Sequence, residues 1–187
     1  MKIVGLSGSL RSPSRTATLA RIILEKLSAH PGVQTHFIPV VDLAPHLFQT
    51  LDYDPLPAPV AEAYQHLYDA DVILLASPVY KASYSGILKH FLDLIPPQNL
   101  KGKIGIVAAT GGTERHALVL DHQLRPLLSF FGVQTLPTGI YLKDSDFIKV
   151  SEGTDYHLEN ADALERIQQI VSETLGVTRR RPIAAVA

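Results

Sequence analysis

The sequence contains no cysteine and no tryptophan among its 187 residues. The absence of cysteine excludes disulfides, thiolate metal sites, iron–sulfur clusters and cysteine nucleophiles. An excess of charge of one sign is missing as well, because 17 lysines and arginines stand against 18 aspartates and glutamates, for a formal net charge of -1. This balance gives no electrostatic case for binding nucleic acid or an anionic membrane.

Long apolar runs are also missing from the chain. The apolar run in the N-terminal segment "MKIVGLSGSLR" is too short for a signal peptide or a membrane span, and no later apolar run is long enough. We therefore expect a cytoplasmic protein with no membrane partner. The length fits one domain, which we place in residues 1–175, followed by a flexible or partner-bound tail in residues 176–187 after a helix stop at Gly176.

Short apolar runs that are present predict five strands. The first, third and fourth are almost unbroken hydrophobic runs, as expected for parallel strands covered on both faces. The five predicted strands are residues 2–7, 33–38, 71–77, 103–109 and 138–142.

Segments with helical spacing of apolar residues lie between and after these strands. The predicted helices are residues 15–29, 58–69, 86–94, about 116–131 and 157–175. The alternation of strand and helix predicts an α/β, three-layer, doubly wound fold with right-handed crossovers. For a five-stranded parallel sheet the leading strand order is 2-1-3-4-5, which is flavodoxin-like and places a ligand beyond the carboxyl ends of strands one, three and four.

The loop after the first strand, "GSLRSPSRTAT" at residues 8–18, predicts an anion site. Hydroxyl groups and two arginines stand where a helix begins, and the first-turn N–H groups of a helix attract negative charge. The alternative is helix capping alone, for which one serine is enough. The loop lacks the lysine of a triphosphate-binding loop and the G-x-G-x-x-G pattern, so a terminal monophosphate fits it best.

The loop after the third strand, "SPVYKASYSG" at residues 77–86, has features of a ring-binding loop. Pro78 fixes a turn, Tyr80 offers a planar face, and Gly86 allows close approach at the start of the next helix. Lys81 is placed to attract a phosphate or an anionic ring. A loop whose tyrosines only cover the core explains the same residues equally well.

The loop after the fourth strand, "ATGGTERH" at residues 109–116, carries two adjacent glycines between threonines. Bare backbone at this point lets amide groups meet the edge of a flat heterocycle. The alternative is an ordinary glycine turn.

The motifs "GSLRSPSRT", "SPVYKASYSGILKHFLDLIP" and "ATGGT" resemble those of the NAD(P)H-dependent FMN reductase family. The likeness is strongest to its two-component members, which supply reduced flavin to alkanesulfonate and methanesulfonate monooxygenases, and it extends over about residues 1–175. The resemblance implies FMN and NADPH, or NADH, as cofactors, and an FMN-dependent monooxygenase as partner. It also implies a flavodoxin-like homo-oligomer, dimer or tetramer, with FMN across subunit contacts.

The resemblance assigns cofactor-binding roles to all three loops. For the FMN phosphate it implies Ser9, Arg11, Ser14, Arg15, Thr16, Ala17 and Thr18. For the isoalloxazine and ribityl groups it implies Pro78, Val79, Tyr80 and Lys81, with Ser85 and Gly86 close by. For the ring edge it implies Thr110, Gly111, Gly112 and Thr113.

The reaction itself needs few acid or base groups, since the flavin and the nicotinamide carry the chemistry and the protein stacks them. None of the eight histidines has metal-motif spacing, so we expect no metal and assign no catalytic residue. Two-component relatives tend to carry an extra residue that forms a π-type bulge in the fourth helix. His122 is the candidate for it, as a modulator of flavin transfer or as an ordinary interface residue, and Pro126 predicts irregularity in that helix.

Three other functions share parts of this pattern. A flavodoxin-type electron carrier has the same fold and FMN, but such carriers are strongly acidic, unlike a chain of net charge -1. A quinone, azo or chromate reductase shares the nicotinamide chemistry and keeps its FMN bound. A non-enzymatic nucleotide-binding module needs no access for a nicotinamide.

Overall fold

A parallel sheet forms the centre of the computed structural model, which describes residues 1–52, 55–150 and 156–179. Its strands are β1 Lys2–Ser7, β2 Gln34–Pro39, β3 Val72–Pro78, β4 Ile104–Gly111, β5 Gln134–Thr135 and β6 Ile140–Lys143. They pair in the order β2-β1-β3-β4-β5, and β6 also pairs with β4. All these pairings are parallel, which confirms the predicted 2-1-3-4-5 order of a doubly wound flavodoxin-like fold.

The fifth position of the sheet differs from the prediction because two short strands share it. Gln134 of β5 lies opposite Ile104, and Ile140 of β6 lies opposite Ala108, so both strands extend the same edge of β4. Pro137 stands between them and has no N–H to donate to the ladder. The predicted run 138–142 corresponds to β6, and β5 was not predicted.

Helices cover both faces of the sheet, as the three-layer prediction requires. They are α1 Arg15–Ser28, α2 Ala44–Leu47, α3 Ala58–Asp69, α4 Gly86–Asp93, α5 Arg125–Phe130 and α6 Ala161–Arg179. One core contains Ile3 and Leu74 of the sheet with residues of α1 and α6. The other contains Leu6 and Leu75 with residues of α3, α4 and α5. Among the helices of the described ranges, none combines the length and apolar character needed to cross a bilayer.

The predicted fourth helix, about 116–131, is interrupted. A 3-10 turn occupies Glu114–His116, a π-helical segment occupies Leu120–Leu124, and α5 follows. Within the π segment the N–H of Arg125 donates to the carbonyl of Leu120, five residues earlier. Pro126 gives a physical reason, because its ring in a regular α-helix would clash with the carbonyl of His122. The predicted irregularity of this helix is therefore confirmed, and it takes the form of a π-helical segment that contains the candidate His122.

The predicted last helix, 157–175, is wrong at both ends. An antiparallel hairpin of β7 Phe147–Lys149 and β8 Tyr156–Leu158 precedes α6, and Asn160 caps α6 through its side-chain oxygen. The helix passes through Gly176 to Arg179, so the stop at Gly176 is wrong and the proposed domain boundary at residue 175 falls inside α6. The rest of the predicted tail, residues 180–187, lies outside the described residues.

Strand register brings the three loops of interest to one edge. Ser7 at the end of β1 lies opposite Ala76, Pro78 at the end of β3 lies opposite Thr110, and Gly111 lies opposite Lys143. The loops that follow β1, β3, β4 and β6 therefore start side by side at the carboxyl edge, where doubly wound sheets bind ligands.

Candidate functional site

A cavity of about 110 Å³ lies where the loops after β1, β3 and β4 meet. It is lined by Ser9, Arg11, Pro13, Ser14, Arg15, Thr16, Pro78, Val79, Tyr80, Thr110, Gly111, Gly112, Asp144 and Tyr156. The structure thus brings most of the predicted site residues together around one space.

The first loop, between β1 and α1, is braced by its own hydroxyl groups. Ser14 is the N-cap of α1, and its Oγ accepts a hydrogen bond from the N–H of Ala17 at 3.2 Å. Ser9 Oγ accepts from the N–H of Arg11 at 3.2 Å. Capping therefore accounts for Ser14. It does not account for Arg11, which is exposed and has no ion-pair partner in the described residues. The first-turn N–H groups of α1 and this cation suit an anion.

Arg15 ties the first loop to the segment that follows β6. Its Nη1 lies 3.5 Å from Asp144 Oδ1, and its guanidinium carbon lies 4.6 Å from the centre of the Tyr156 ring. Its Nε is buried and has no hydrogen-bond partner among the described residues. The side chain is therefore fixed in place while one donor remains unused.

Thr16 joins the first loop to the third. Its hydroxyl lies 2.6 Å from that of Thr110, and the two residues are buried, at 1% and 3% exposure. This hydrogen bond fixes the start of α1 against the end of β4. Thr16 thus stabilises the position of the first loop relative to the third.

The second loop contains a tight turn over residues 80–83. The backbones of Tyr80 and Ser83 exchange two hydrogen bonds, of 2.8 and 3.1 Å. The two residues between them have positive φ angles, 51° for Lys81 and 67° for Ala82. These are the features of a type I′ turn, whose central positions favour glycine and asparagine. With lysine and alanine there, the turn is strained.

The end of the second loop packs under the first. Ser85 donates its backbone N–H to Ser77 Oγ at 3.1 Å, and its own hydroxyl is buried with no partner in the described chain. A Cβ built on Gly8 would lie 2.7 Å from that hydroxyl. The absence of a side chain at Gly8 therefore lets the two loops lie in contact.

The two glycines of the third loop have different surroundings. A Cβ on Gly111 would lie 2.3 Å from the hydroxyl of Tyr141, whereas a Cβ on Gly112 would meet nothing within 4 Å. The Tyr141 hydroxyl donates to the carbonyl of Thr113 at 2.6 Å, and burial, with a smaller effect of Asp144, raises its pKa. Gly111 thus serves packing, and Gly112 leaves open space beside the cavity.

A second cavity, of about 120 Å³, lies on the β2 side of the first loop. Ser7 lines it together with Thr18, Arg21 and Asp42. The Ser7 hydroxyl is buried at 1% exposure and has no partner in the described chain. A buried hydroxyl without a partner is costly, so this donor is available to a polar group that binds beside the first loop.

Some predicted residues lie outside the first cavity. Ala17 and Thr18 line the second one, and Lys81, Ser85, Gly86 and Thr113 line neither. His122 is exposed in the π segment and lines neither cavity. The roles assigned to all these residues towards a flavin stay predictions.

Sequence reasoning missed Ser7, Asp144 and Tyr156. Asp144 directly follows β6 at the same edge as the three loops, so the predicted strand order contained a signal for it. Tyr156 belongs to the hairpin that was not predicted. Within the described ranges, no group of three or more histidine, aspartate or glutamate side chains is placed to hold a metal ion.

Comparison with known proteins places this geometry in a family. The chain is 40% identical over 189 residues to NADH-dependent FMN reductase SfnF of Pseudomonas fluorescens, covering 100% of this chain and 98% of the relative. It is 45% identical over 146 residues to an FMN reductase (NADPH) of Pseudomonas aeruginosa, covering 78% of each. A crystal structure of an NADH:FMN oxidoreductase (EMOB) superposes with a TM-score of 0.80 at 33% identity, covering 94% of this chain and 89% of that one.

The family assignment extends over most of the chain and over all three loops. Residues 1–147 match the family described as NADPH-dependent FMN reductase. That range includes β1 to β6 and every residue predicted for the site. With its sheet order, its loop cavity and these similarities, the chain belongs to the NADPH-dependent FMN reductase family.

Proposed function

We propose that this protein is an NAD(P)H:FMN oxidoreductase that uses NADPH or NADH to reduce FMN and supplies the reduced flavin to an FMN-dependent sulfonate monooxygenase. The observation that carries the proposal is the cavity that the first, second and third loops form together at the carboxyl edge of the sheet. The family membership of the chain supports the same activity.

The residues present fit a flavin phosphate. Two buried donors beside the first loop, the Ser7 hydroxyl and Arg15 Nε, have no partner in the described chain. Arg11 adds an exposed positive charge, and α1 begins at the same place with its first-turn N–H groups. A phosphate bound at this loop would accept hydrogen bonds from the donors of the cavity that holds it and be stabilised by the helix dipole.

The second and third loops fit the ring side of a flavin. Val79 and Tyr80 are half-buried beside the cavity, and Gly112 leaves its backbone open. Bound FMN would supply the hydride-accepting ring. The protein's part is to hold the ring by its phosphate, cover one face with Tyr80 and leave the other face open for the nicotinamide.

The size of the cavity supports the predicted oligomer. About 110 Å³ is below the roughly 300–1,000 Å³ of a typical small-molecule pocket, so the cavity of one chain is too small to enclose a whole flavin. A second copy of the chain would supply part of the remaining cover, in a dimer or tetramer, and leave the nicotinamide face open. We retain the proposal that His122, in the π segment, modulates flavin transfer at that contact, and the cytoplasmic location stays a prediction.

Oxidation of NADPH and of NADH by the purified full chain, with increasing free FMN, tests the proposal. The expected rate rises with FMN and saturates, because FMN is a substrate that exchanges. Reduced flavin should then support turnover of an added alkanesulfonate or methanesulfonate monooxygenase. A permanently yellow protein whose rate ignores added FMN and responds to a quinone or azo dye would point to the alternative reductase. Oxidation of neither nicotinamide would leave an electron carrier or a binding module.

A further inference from the structure

The strained turn of the second loop is held by a side chain from the π segment. Ser83 Oγ donates to Gln123 Oε1 at 2.6 Å, and Gln123 Nε2 donates to the carbonyl of Ala82 at 3.2 Å. The amide group thus uses both its acceptor and one donor on the same turn. These contacts join residues 40 and 41 positions apart in the chain.

The π segment offers a rigid support for this amide. Leu120 and Leu124, on either side of Gln123, are buried at 7% and 0% exposure within the core under α4 and α5. Arg125, directly after the segment, donates from Nε to Asp121 at 2.7 Å and from Nη2 to the carbonyl of Pro137 at 2.7 Å. Gln123 is therefore presented from a backbone that is fixed at both ends.

The turn needs such support because its backbone is unfavourable for its residues. Lys81 and Ala82 both have positive φ angles, which cost energy for residues with a Cβ. Such a turn persists only when its surroundings over-determine it. The two hydrogen bonds between Gln123 and the turn are contacts of that kind, and the turn begins at Tyr80, which lines the cavity.

We propose that Gln123 is a positioning residue, which holds the 80–83 turn in its strained form and so sets Tyr80 for contact with the flavin ring. This inference rests on the proposed function, since it assigns the ring side of the FMN site to the second loop. Gln123 acts through the turn and not on the flavin phosphate. Its loss should therefore weaken binding of FMN and riboflavin by the same factor.

The variant Gln123→Met keeps the length of the side chain and removes both hydrogen bonds. Flavin fluorescence titration should show the Kd for FMN and for riboflavin each raised about tenfold, as expected for the loss of one to two hydrogen bonds. Ser83→Ala, which removes only one of the two, should give a smaller rise. Gln65→Met is the matched control, because Gln65 is an exposed helical glutamine whose side chain, within the described residues, donates a hydrogen bond only to Asp69, at 2.8 Å.

A rescue experiment separates positioning from general loss of structure. Ala82→Gly removes the steric cost of the positive φ at one of the two strained positions, so the turn depends less on the amide. In the Ala82→Gly background, Gln123→Met should raise the Kd for either flavin by a smaller factor than in the wild-type background, whereas a general packing defect would persist there in full. Unchanged affinities in the single variant, or a loss that Ala82→Gly does not reduce, would overturn the inference. If the wild-type protein binds neither flavin, the proposed function itself fails, and this is seen before any variant is tested.

Discussion

Replacing the two glycines of the third loop by alanine should affect different properties. Gly111→Ala should lower the thermal stability, whereas Gly112→Ala should leave the stability unchanged and weaken the binding of FMN. In Gly111→Ala the new Cβ would stand 2.3 Å from the Tyr141 hydroxyl, whereas ordinary contact begins at 3.4 Å. The tyrosine must therefore move by about 1 Å and give up its 2.6 Å bond to the carbonyl of Thr113. Overpacking and a lost hydrogen bond together cost about 2 kcal/mol, which lowers Tm by about 4 to 8 °C in a chain of this size.

Gly112→Ala is the matched control for stability, because its Cβ would meet nothing within 4 Å. Its Tm should stay the same or rise slightly, since alanine reduces the freedom of the unfolded chain. The same methyl group enters the open space beside the cavity, so the Kd for FMN should rise about tenfold, the range expected for a steric clash.

Thermal unfolding without flavin and fluorescence titration with FMN measure the two effects separately. Equal Tm values for the two variants would refute the packing described around Gly111. Wild-type affinity for FMN in Gly112→Ala would refute the contact of the third loop with the flavin.

Three further predictions concern buried polar groups. Ser7→Ala removes a hydroxyl that has no partner in the described chain, so urea unfolding should show no loss of stability. Flavin titration should show weaker binding of FMN and unchanged binding of riboflavin, and weaker binding of riboflavin would contradict this prediction. Thr16→Val leaves the buried Thr110 hydroxyl unpaired and should cost about 1–3 kcal/mol of unfolding free energy, and an unchanged urea midpoint would argue against that brace. Burial, followed by the charges of Tyr68 and Asp93, raises the pKa of Tyr64 above its ordinary 10.0. As pH rises above 10.0, the Tyr64 hydroxyl therefore loses its proton in the unfolded chain before it does so in the folded chain, and the stability of the fold decreases. Tyr64→Phe removes the hydrogen bond to the Phe91 carbonyl and should lower the unfolding free energy by about 1 kcal/mol at neutral pH. The stability of this variant should fall less steeply at alkaline pH than that of the wild type, and an identical fall would contradict the assignment.

The sheet was predictable wherever burial is continuous along a strand. Every residue of β3 and β4 is buried, and such runs are visible in a sequence without any knowledge of neighbours. β5 has only Gln134 and Thr135, one exposed and one half-buried, so its two residues carry no such signal. The hairpin of β7 and β8 has three residues a strand, too few for an alternating pattern.

Gly176 misled the prediction for a different reason. Glycine is a weak helix former, but tertiary contacts decide helix ends. Gly176 lies on the exposed side of α6 with open space around it, while its neighbours Leu175 and Val177 pack against the core.

The candidate site was predictable as far as it depends on strand ends. The first, second and third loops follow β1, β3 and β4, and strand order alone brings their residues to one edge. The partners of those residues were not predictable, because the pairs Arg15 with Asp144, Thr16 with Thr110 and Gln123 with Ser83 depend on side-chain placement.

We propose that the loop between β1 and α1 binds the phosphate of FMN, and a comparison of two flavins that differ only in that phosphate tests this. Arg11→Ala removes an exposed cation from the loop, and Lys26→Ala, in the last turn of α1, is the control with the same change of charge. We predict that Arg11→Ala raises the Kd for FMN about tenfold, as for a charge-assisted hydrogen bond, and leaves riboflavin unchanged, while Lys26→Ala changes neither. Equal losses of FMN and riboflavin in Arg11→Ala would contradict the account.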